Sequence, residues 1–267
     1  MKKLVIALTA LAALTGSASA ADLGARPYTK APAAVPAPVA SWTGCYVGAG
    51  GGGAYTNNDH NEFLTANGVR RSFNETTGAR GWFGTVGAGC DYQFDRWVVG
   101  VFGDYDFMDV KGDLGLDGIA VVRSVGSQKQ DWQWAVGGRV GYVVLPGLLG
   151  YVSGGYTQAH WKATDTTIFG AALPVYNLPG ATKGGWFIGA GDEYALSFLP
   201  GLFWKTEYRY SEFDRANVAV TFGPGAGGLG APGTTAGFSL TEKFREHSVR
   251  SELVYRFNWG GPVVAKY

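Results

Sequence analysis

Along residues 131–144, large apolar side chains alternate with small or polar ones, and this period of two constrains the chain more than any other feature. Trp132, Trp134, Val136, Gly138, Val140 and Tyr142 fall on one face, and Asp131, Gln133, Ala135, Gly137, Arg139 and Gly141 on the other. Such alternation marks a strand with two unlike faces. It recurs over 202–214, where Leu202, Trp204, Thr206, Tyr208 and Tyr210 oppose Lys205, Glu207, Arg209 and Ser211. In the last strand, 248–258, Val249, Leu253, Tyr255 and Phe257 oppose Arg250, Glu252, Arg256 and Asn258. Further strands are expected at 44–56, 81–94, 96–111, 148–162 and 184–197, which makes eight. The run Leu149-Gly150-Tyr151-Val152 fits either phase.

Composition agrees with an all-β chain. Glycine is 43 of 267 residues, and each one inside a helix would cost about 1 kcal/mol relative to alanine. Aromatics make up 14% and charged residues only 16%, the reverse of a disordered chain. A formal net charge of +1 leaves no basic footprint for nucleic acid.

Residues 1–20 read as a signal peptide. Lys2 and Lys3 precede the apolar run Leu4 to Leu14, and Ala18-Ser19-Ala20 supplies a small-x-small cleavage site. Residues 21–41 carry Pro27, Pro32, Pro36 and Pro38 among alanines, which makes a stiff tether. It is expected to be a plain spacer, with a cell-wall-binding tail as the alternative. No other segment holds 18 uninterrupted apolar residues, so no spanning helix is expected. Two options remain: a soluble exported protein or a closed barrel, since lipid admits only helices and closed barrels.

Connection lengths favour the barrel. Tight turns at Asp95-Arg96, Leu145-Pro146-Gly147 and Leu199-Pro200-Gly201 alternate with long segments at 57–80, 112–128, 163–183 and 214–242, read as loops. Short turns at one end and long loops at the other are the layout of an outer-membrane barrel. An internal echo supports the register, because Gly87-Ala88-Gly89-Cys90-Asp91-Tyr92 returns as Gly189-Ala190-Gly191-Asp192-Glu193-Tyr194.

The bulky faces then point to lipid, with Trp132, Trp134, Tyr142, Trp204, Tyr208, Tyr255 and Phe257 as girdle or lipid-facing aromatics. Asp192 falls on the same outward side, with a local bulge that turns it inward as the alternative. The opposite faces place Asp104, Asp106, Arg139, Glu193, Lys205, Glu207, Arg209, Arg250, Glu252 and Arg256 in the interior. Charges in so narrow a space are expected to pair. They are read as a permanent plug, with a narrow conduit as the alternative. Pairing Thr56 near Gly81 brings Cys45 and Cys90 within one step of direct opposition. In an exported chain a disulfide is expected there, against the alternative of two small apolar residues facing lipid.

Catalytic signals are sparse. The glycine run Gly48 to Gly53 contains a formal G-x-G-x-x-G but opens no helix. Ser153 does not sit in a nucleophile elbow. Of His60, His160 and His247, only His247 adjoins a serine, Ser248, and no third member accompanies them. No catalytic residue, metal site or cofactor is expected.

Several segments carry a family resemblance: Ala21-Asp22-Leu23 with Pro27-Tyr28, Trp42-Thr43-Gly44-Cys45-Tyr46-Val47-Gly48, and Gly89-Cys90-Asp91-Tyr92-Gln93. Gly184-Gly185-Trp186, Glu193-Tyr194-Ala195, and Val249-Arg250 through Tyr255-Arg256-Phe257 continue it. In their order the chain resembles the small outer-membrane β-barrel family of alphaproteobacteria, the porin-family or outer-membrane immunogenic proteins of the OmpA-like barrel group. The resemblance implies an eight-stranded antiparallel up-and-down transmembrane β-barrel over 42–258, in the bacterial outer membrane, inserted by the barrel-assembly machinery. It implies a role in envelope integrity, with loops at the cell surface. Residues 259–267 form a tail beyond Phe257, so either Phe257 or Tyr267 serves as the assembly signal. Expected partners are outer-membrane lipids and lipopolysaccharide, the assembly machinery, and peptidoglycan through the tether. The functional alternatives are a narrow porin, a lipid hydrolase at the rim, and a soluble periplasmic ligand-binding barrel.

Overall fold

A computed structural model describes residues 40–72, 75–116, 124–168 and 171–257. The signal peptide at 1–20, nearly all of the tether, and the tail at 259–267 with Tyr267 lie outside the described residues.

Every paired strand is antiparallel. In chain order they are β1 (Gly44–Leu64), β2 (Glu75–Phe94), β3 (Trp97–Leu116), β4 (Ser124–Leu145), β5 (Leu148–Trp161), β6 (Thr164–Ile168), β7 (Tyr176–Leu178), β8 (Ala181–Ala195), β9 (Leu202–Phe213), β10 (Ala216–Phe222) and β11 (Thr235–Phe257). The order β1-β2-β3-β4-β5-β8-β9-β11 closes on itself, because β11 also pairs with β1. Short breaks at 162–163, 179–180 and 214–215 separate β5 from β6, β7 from β8 and β9 from β10. Beyond them β6, β7 and β10 take over the places of β5, β8 and β9 between β4 and β11. The eleven segments are therefore one closed barrel of eight strands.

Register sets the barrel's tilt. From Tyr46 the paired residues run through Gly89, Phe102, Gly137, Gly155, Phe187, Ser211 and Glu246, and return to β1 at Thr56, ten residues along. Ten residues are ~33 Å of offset over ~38 Å of circumference, which tilts the strands by ~40°.

The tight turns stand where the sequence puts them. Gly147 (φ 87°) and Gly201 (φ 86°) each follow a proline, the arrangement of a type II turn, in which only glycine meets the left-handed position without strain. The long segments differ from expectation. Most of 57–80, 112–128, 163–183 and 214–242 is strand, since β1 runs on to Leu64, β3 to Leu116 and β11 begins at Thr235. Above the lipid the outward face becomes polar, and the inward face there carries Asn58, His60 and Glu62, all buried. With both faces polar the alternation fades, and a continuing strand reads as a loop.

Apolar side chains pack at both ends of the interior. At the tight-turn end Trp42, Tyr46, Val98, Phe102, Leu149, Phe187, Phe203 and Val254 form one apolar cluster. At the other end Leu114, Leu116, Val175, Tyr176, Leu178, Phe238 and Leu240 form another. The strand at 148–162 takes the phase that buries Leu149, Tyr151 and Ser153. Glycine makes this packing possible: a Cβ on Gly52 would lie 2.6 Å from the buried Phe83 ring.

Candidate functional site

The ten interior charges named from sequence all lie inside the barrel and buried. They form two networks. In the first, Arg139 donates to Asp91 through Nε (2.9 Å) and Nη2, and to Glu193 through Nη1 (3.0 Å). Arg256 closes the circle, donating to Glu193 through Nε (2.9 Å) and to Asp91 through Nη1 (2.7 Å). Two guanidinium groups thus face two carboxylates. Both cations also lie over the Tyr46 ring, at 5.0 and 4.8 Å, which adds cation–π attraction. Arg256 Nη1 also donates to the Trp42 carbonyl at 2.9 Å, and the Trp42 side chain packs against Phe203 at the mouth.

Farther along the barrel, Arg209 grips Asp104 with both terminal nitrogens (3.0 and 2.8 Å) and reaches Glu207 through Nε (2.8 Å). Arg250 bridges Asp104 (3.2 Å) and Asp106 (3.0 Å). Lys205 pairs with Glu252 at 3.1 Å, and the Tyr151 hydroxyl donates to Glu207 at 2.9 Å. Planar guanidinium groups suit such multiple pairing better than ammonium groups do. Higher still, Lys183 pairs with Glu242 at 2.8 Å and lies 4.3 Å from the Phe244 ring centroid.

Asp91, Lys183 and Glu242 were missed from the sequence. For Asp91 the signal was present, because the internal echo aligns it with Glu193. The two carboxylates of the first network are the equivalent residues of the two copies. Lys183 and Glu242 fell in segments read as loops.

On the outside, the seven aromatics expected at the lipid face all point outward or lie partly exposed, and two belts emerge. Trp82 and Tyr92, Trp132 and Tyr142, and His247 and Phe257 are each ten residues apart on one strand. At the tilt above, ten residues climb ~25 Å, the height of an outer-membrane apolar band. Val101, Val136, Val152, Ile188 and Leu253 are exposed between them. Asp192 is exposed on this face, opposite Gly150 and Thr206. Cys45 and Cys90 are direct partners on β1 and β2 and form a disulfide.

Asp131 corrects the parity reading. A bulge where β4 slips register between Gln130 and Trp132 lets Asp131 meet His160 Nδ1 at 2.6 Å, beside the stacked Trp132 and His160 rings. The rim dyad also fails geometrically. Ser248 is buried inside, while His247 lies on the outward face with its Nδ1 2.7 Å from the Tyr208 hydroxyl. Neighbours in a strand point to opposite faces.

Just above the outer belt the outward face carries charge. Asp59 pairs with Arg245, and Glu212 with Lys243 at 2.7 Å. The Thr76 hydroxyl, donating to Asp59 at 2.7 Å, holds that carboxyl below its ordinary range, with Arg245 adding to the effect.

No family model matches the chain. The 31 kDa outer-membrane immunogenic protein of Brucella melitensis is 29% identical over 260 residues, covering 96% of this chain and 100% of that protein. A 22 kDa outer membrane protein of Rhizobium leguminosarum is 28% identical over 186 residues, covering 70% of this chain and 71% of its own length. Among solved structures, the outer membrane protein OprG of Pseudomonas aeruginosa superposes with a TM-score of 0.51 at 12% identity. That comparison covers 82% of this chain and 99% of OprG, and it bears on the fold alone.

Proposed function

We propose that this chain, which belongs with the alphaproteobacterial small outer-membrane β-barrel proteins, is a structural element of the outer membrane whose interior is closed by its own ion pairs. The observation that carries this reading is the closed circle of Asp91, Arg139, Glu193 and Arg256 beneath Trp42. Every charge in that circle is matched, and each guanidinium is held by two carboxylates from other strands. Opening a path would strip buried charges of their partners, at a cost of several kcal/mol for each pair broken. An eight-stranded barrel leaves little space that such side chains do not fill. The role is mechanical rather than catalytic: a rigid anchored cylinder that carries extended strands above the lipid and contributes to envelope integrity.

Reconstitution into planar bilayers tests this. The expected result is no discrete conductance step from the unmodified chain, and steps from a variant in which Arg139 and Glu193 are both replaced by alanine. Regular steps from the unmodified chain would overturn the closed interior in favour of a narrow porin.

A further inference from the structure

On the outward side of β2, β3 and β4, three bases stand next to one another. Arg80 is the direct partner of Lys111, and Lys111 is the direct partner of Lys129. Like charges placed opposite each other across strands are unfavourable, and a barrel under no other demand would intersperse them with acids. Asp109 is shared by both lysines, at 3.0 Å from Lys111 and 2.6 Å from Lys129. Arg80 is exposed and makes no ion pair with a described residue, and Asp113 stands one step beyond Lys111 on the same side. On the neighbouring strands β1, β11 and β9 the same level is balanced, with Arg245 on Asp59 and Lys243 on Glu212.

Directly below these bases lies a groove of about 770 Å³. Its floor is Gly53, its walls are Trp82 on one side and Tyr208 and Val249 on the other, and Arg80 and Lys111 stand at its upper rim. The Trp82 side chain is 78% exposed, so its ring stands out from the wall. A Cβ on Gly53 would come no closer than 3.8 Å to its neighbours, so the missing side chain leaves real depth rather than relieving a clash. The groove descends from the outer aromatic belt, and its basic rim sits at headgroup level. An apolar trough under adjacent, under-neutralised cations complements a molecule with an acyl chain below and phosphate above.

We propose that this face binds a phosphorylated glycolipid of the outer leaflet, with Arg80 and Lys111 on its phosphate, Lys129 completing the basic rim, and an acyl chain lying in the groove beside Trp82. The proposal rests on the outer-membrane location and is independent of whether the barrel interior is closed.

The test uses the full mature chain refolded in detergent micelles and titrated with bisphosphorylated lipid A, with complexes counted by native mass spectrometry. The Arg80→Gln/Lys111→Gln variant should bind about tenfold more weakly, the scale of losing charge-assisted hydrogen bonds to phosphate. Lys243→Gln/Arg245→Gln, on neighbouring β11 where each base already has its own carboxylate, should bind as the unmodified chain does. Lipid A stripped of its phosphates should bind weakly and equally to all three. The gel shift between heated and unheated samples verifies that each variant is folded. Equal affinity in the Arg80/Lys111 variant, or an equal loss in the Lys243/Arg245 variant, would overturn the site. Full displacement by inorganic phosphate at matched concentration would reassign it to free phosphate. A change of oligomeric state in the variant would reassign the face to a second copy of the chain.

Discussion

Replacing Arg139 by glutamine probes the ion-pair core most directly. Its side chain is 1% exposed and satisfies Asp91 and Glu193, each 0% exposed. Glutamine is neutral and shorter, so both carboxylates would be left to Arg256 alone. Removing one partner of a buried pair costs about 3–5 kcal/mol, because the remaining charge keeps its desolvation penalty and loses its compensation. Adding Glu193→Gln removes the surplus negative charge and leaves Asp91 with Arg256, already 2.7 Å apart. The double variant should therefore recover roughly 2 kcal/mol of the loss rather than add to it, a coupling within the range of residues sharing one network. Urea unfolding in phospholipid vesicles at pH 7, followed by tryptophan fluorescence and by the heat-dependent gel shift, measures both variants. If Arg139→Gln unfolds at the unmodified midpoint, or if the second substitution destabilises further, the charges are not held as a matched circle and the argument fails.

Val152, 59% exposed midway between the two belts, should cost about 2–4 kcal/mol in lipid when replaced by arginine; an unchanged vesicle unfolding midpoint would mean the outward face is not in lipid. Alkylation of the unreduced, unfolded chain should label neither cysteine. Cys45→Ser/Cys90→Ser should lose about 2–4 kcal/mol, the scale for a closed loop with a sequence separation of 45 residues, and thiol labelling without reductant would refute the bond. Asp59 is held below the ordinary carboxylate range, so its contribution is complete above the unfolded value near ~4 and is lost as pH falls through the lower folded value. Amide exchange around Asp59 and Thr76 should therefore be flat from pH 7 to 5 after correction for intrinsic rates and quicken only below about pH 4. Loosening already at pH 6 would contradict the hydrogen bond from Thr76.

The parity of most strands was legible because lipid and a narrow interior make opposite demands on successive residues. Trp132 and Arg139 could be assigned to opposite faces without coordinates, and Cys45 could be brought within one step of Cys90 by counting back from a pairing of Thr56 near Gly81. Legibility ended where one of those demands stopped. Past Tyr55 on β1 both faces are polar, and the strand runs nine residues farther to Leu64 through Asn57, Asn58, Asp59 and His60 without a pattern to mark it. Asp131 broke parity because a bulge depends on how two neighbouring strands slip, which one strand's alternation does not record.

The local sequence by itself determined the strand period, the positions of the three tight turns and ten of the inward charges, since each follows from neighbours a few residues away. Tertiary structure decided who pairs with whom. Asp91 and Arg139 are 48 residues apart and meet across Gly100, their common register partner on β3, while Trp42 and Arg256 are 214 apart and meet because β11 closes onto β1. The registers of β2, β3 and β4 set Arg80 beside Lys111 and Lys111 beside Lys129, and closure brings Tyr208 and Val249 to the groove below them. Closure is a property of all eight strands at once, and no single strand's alternation carries it.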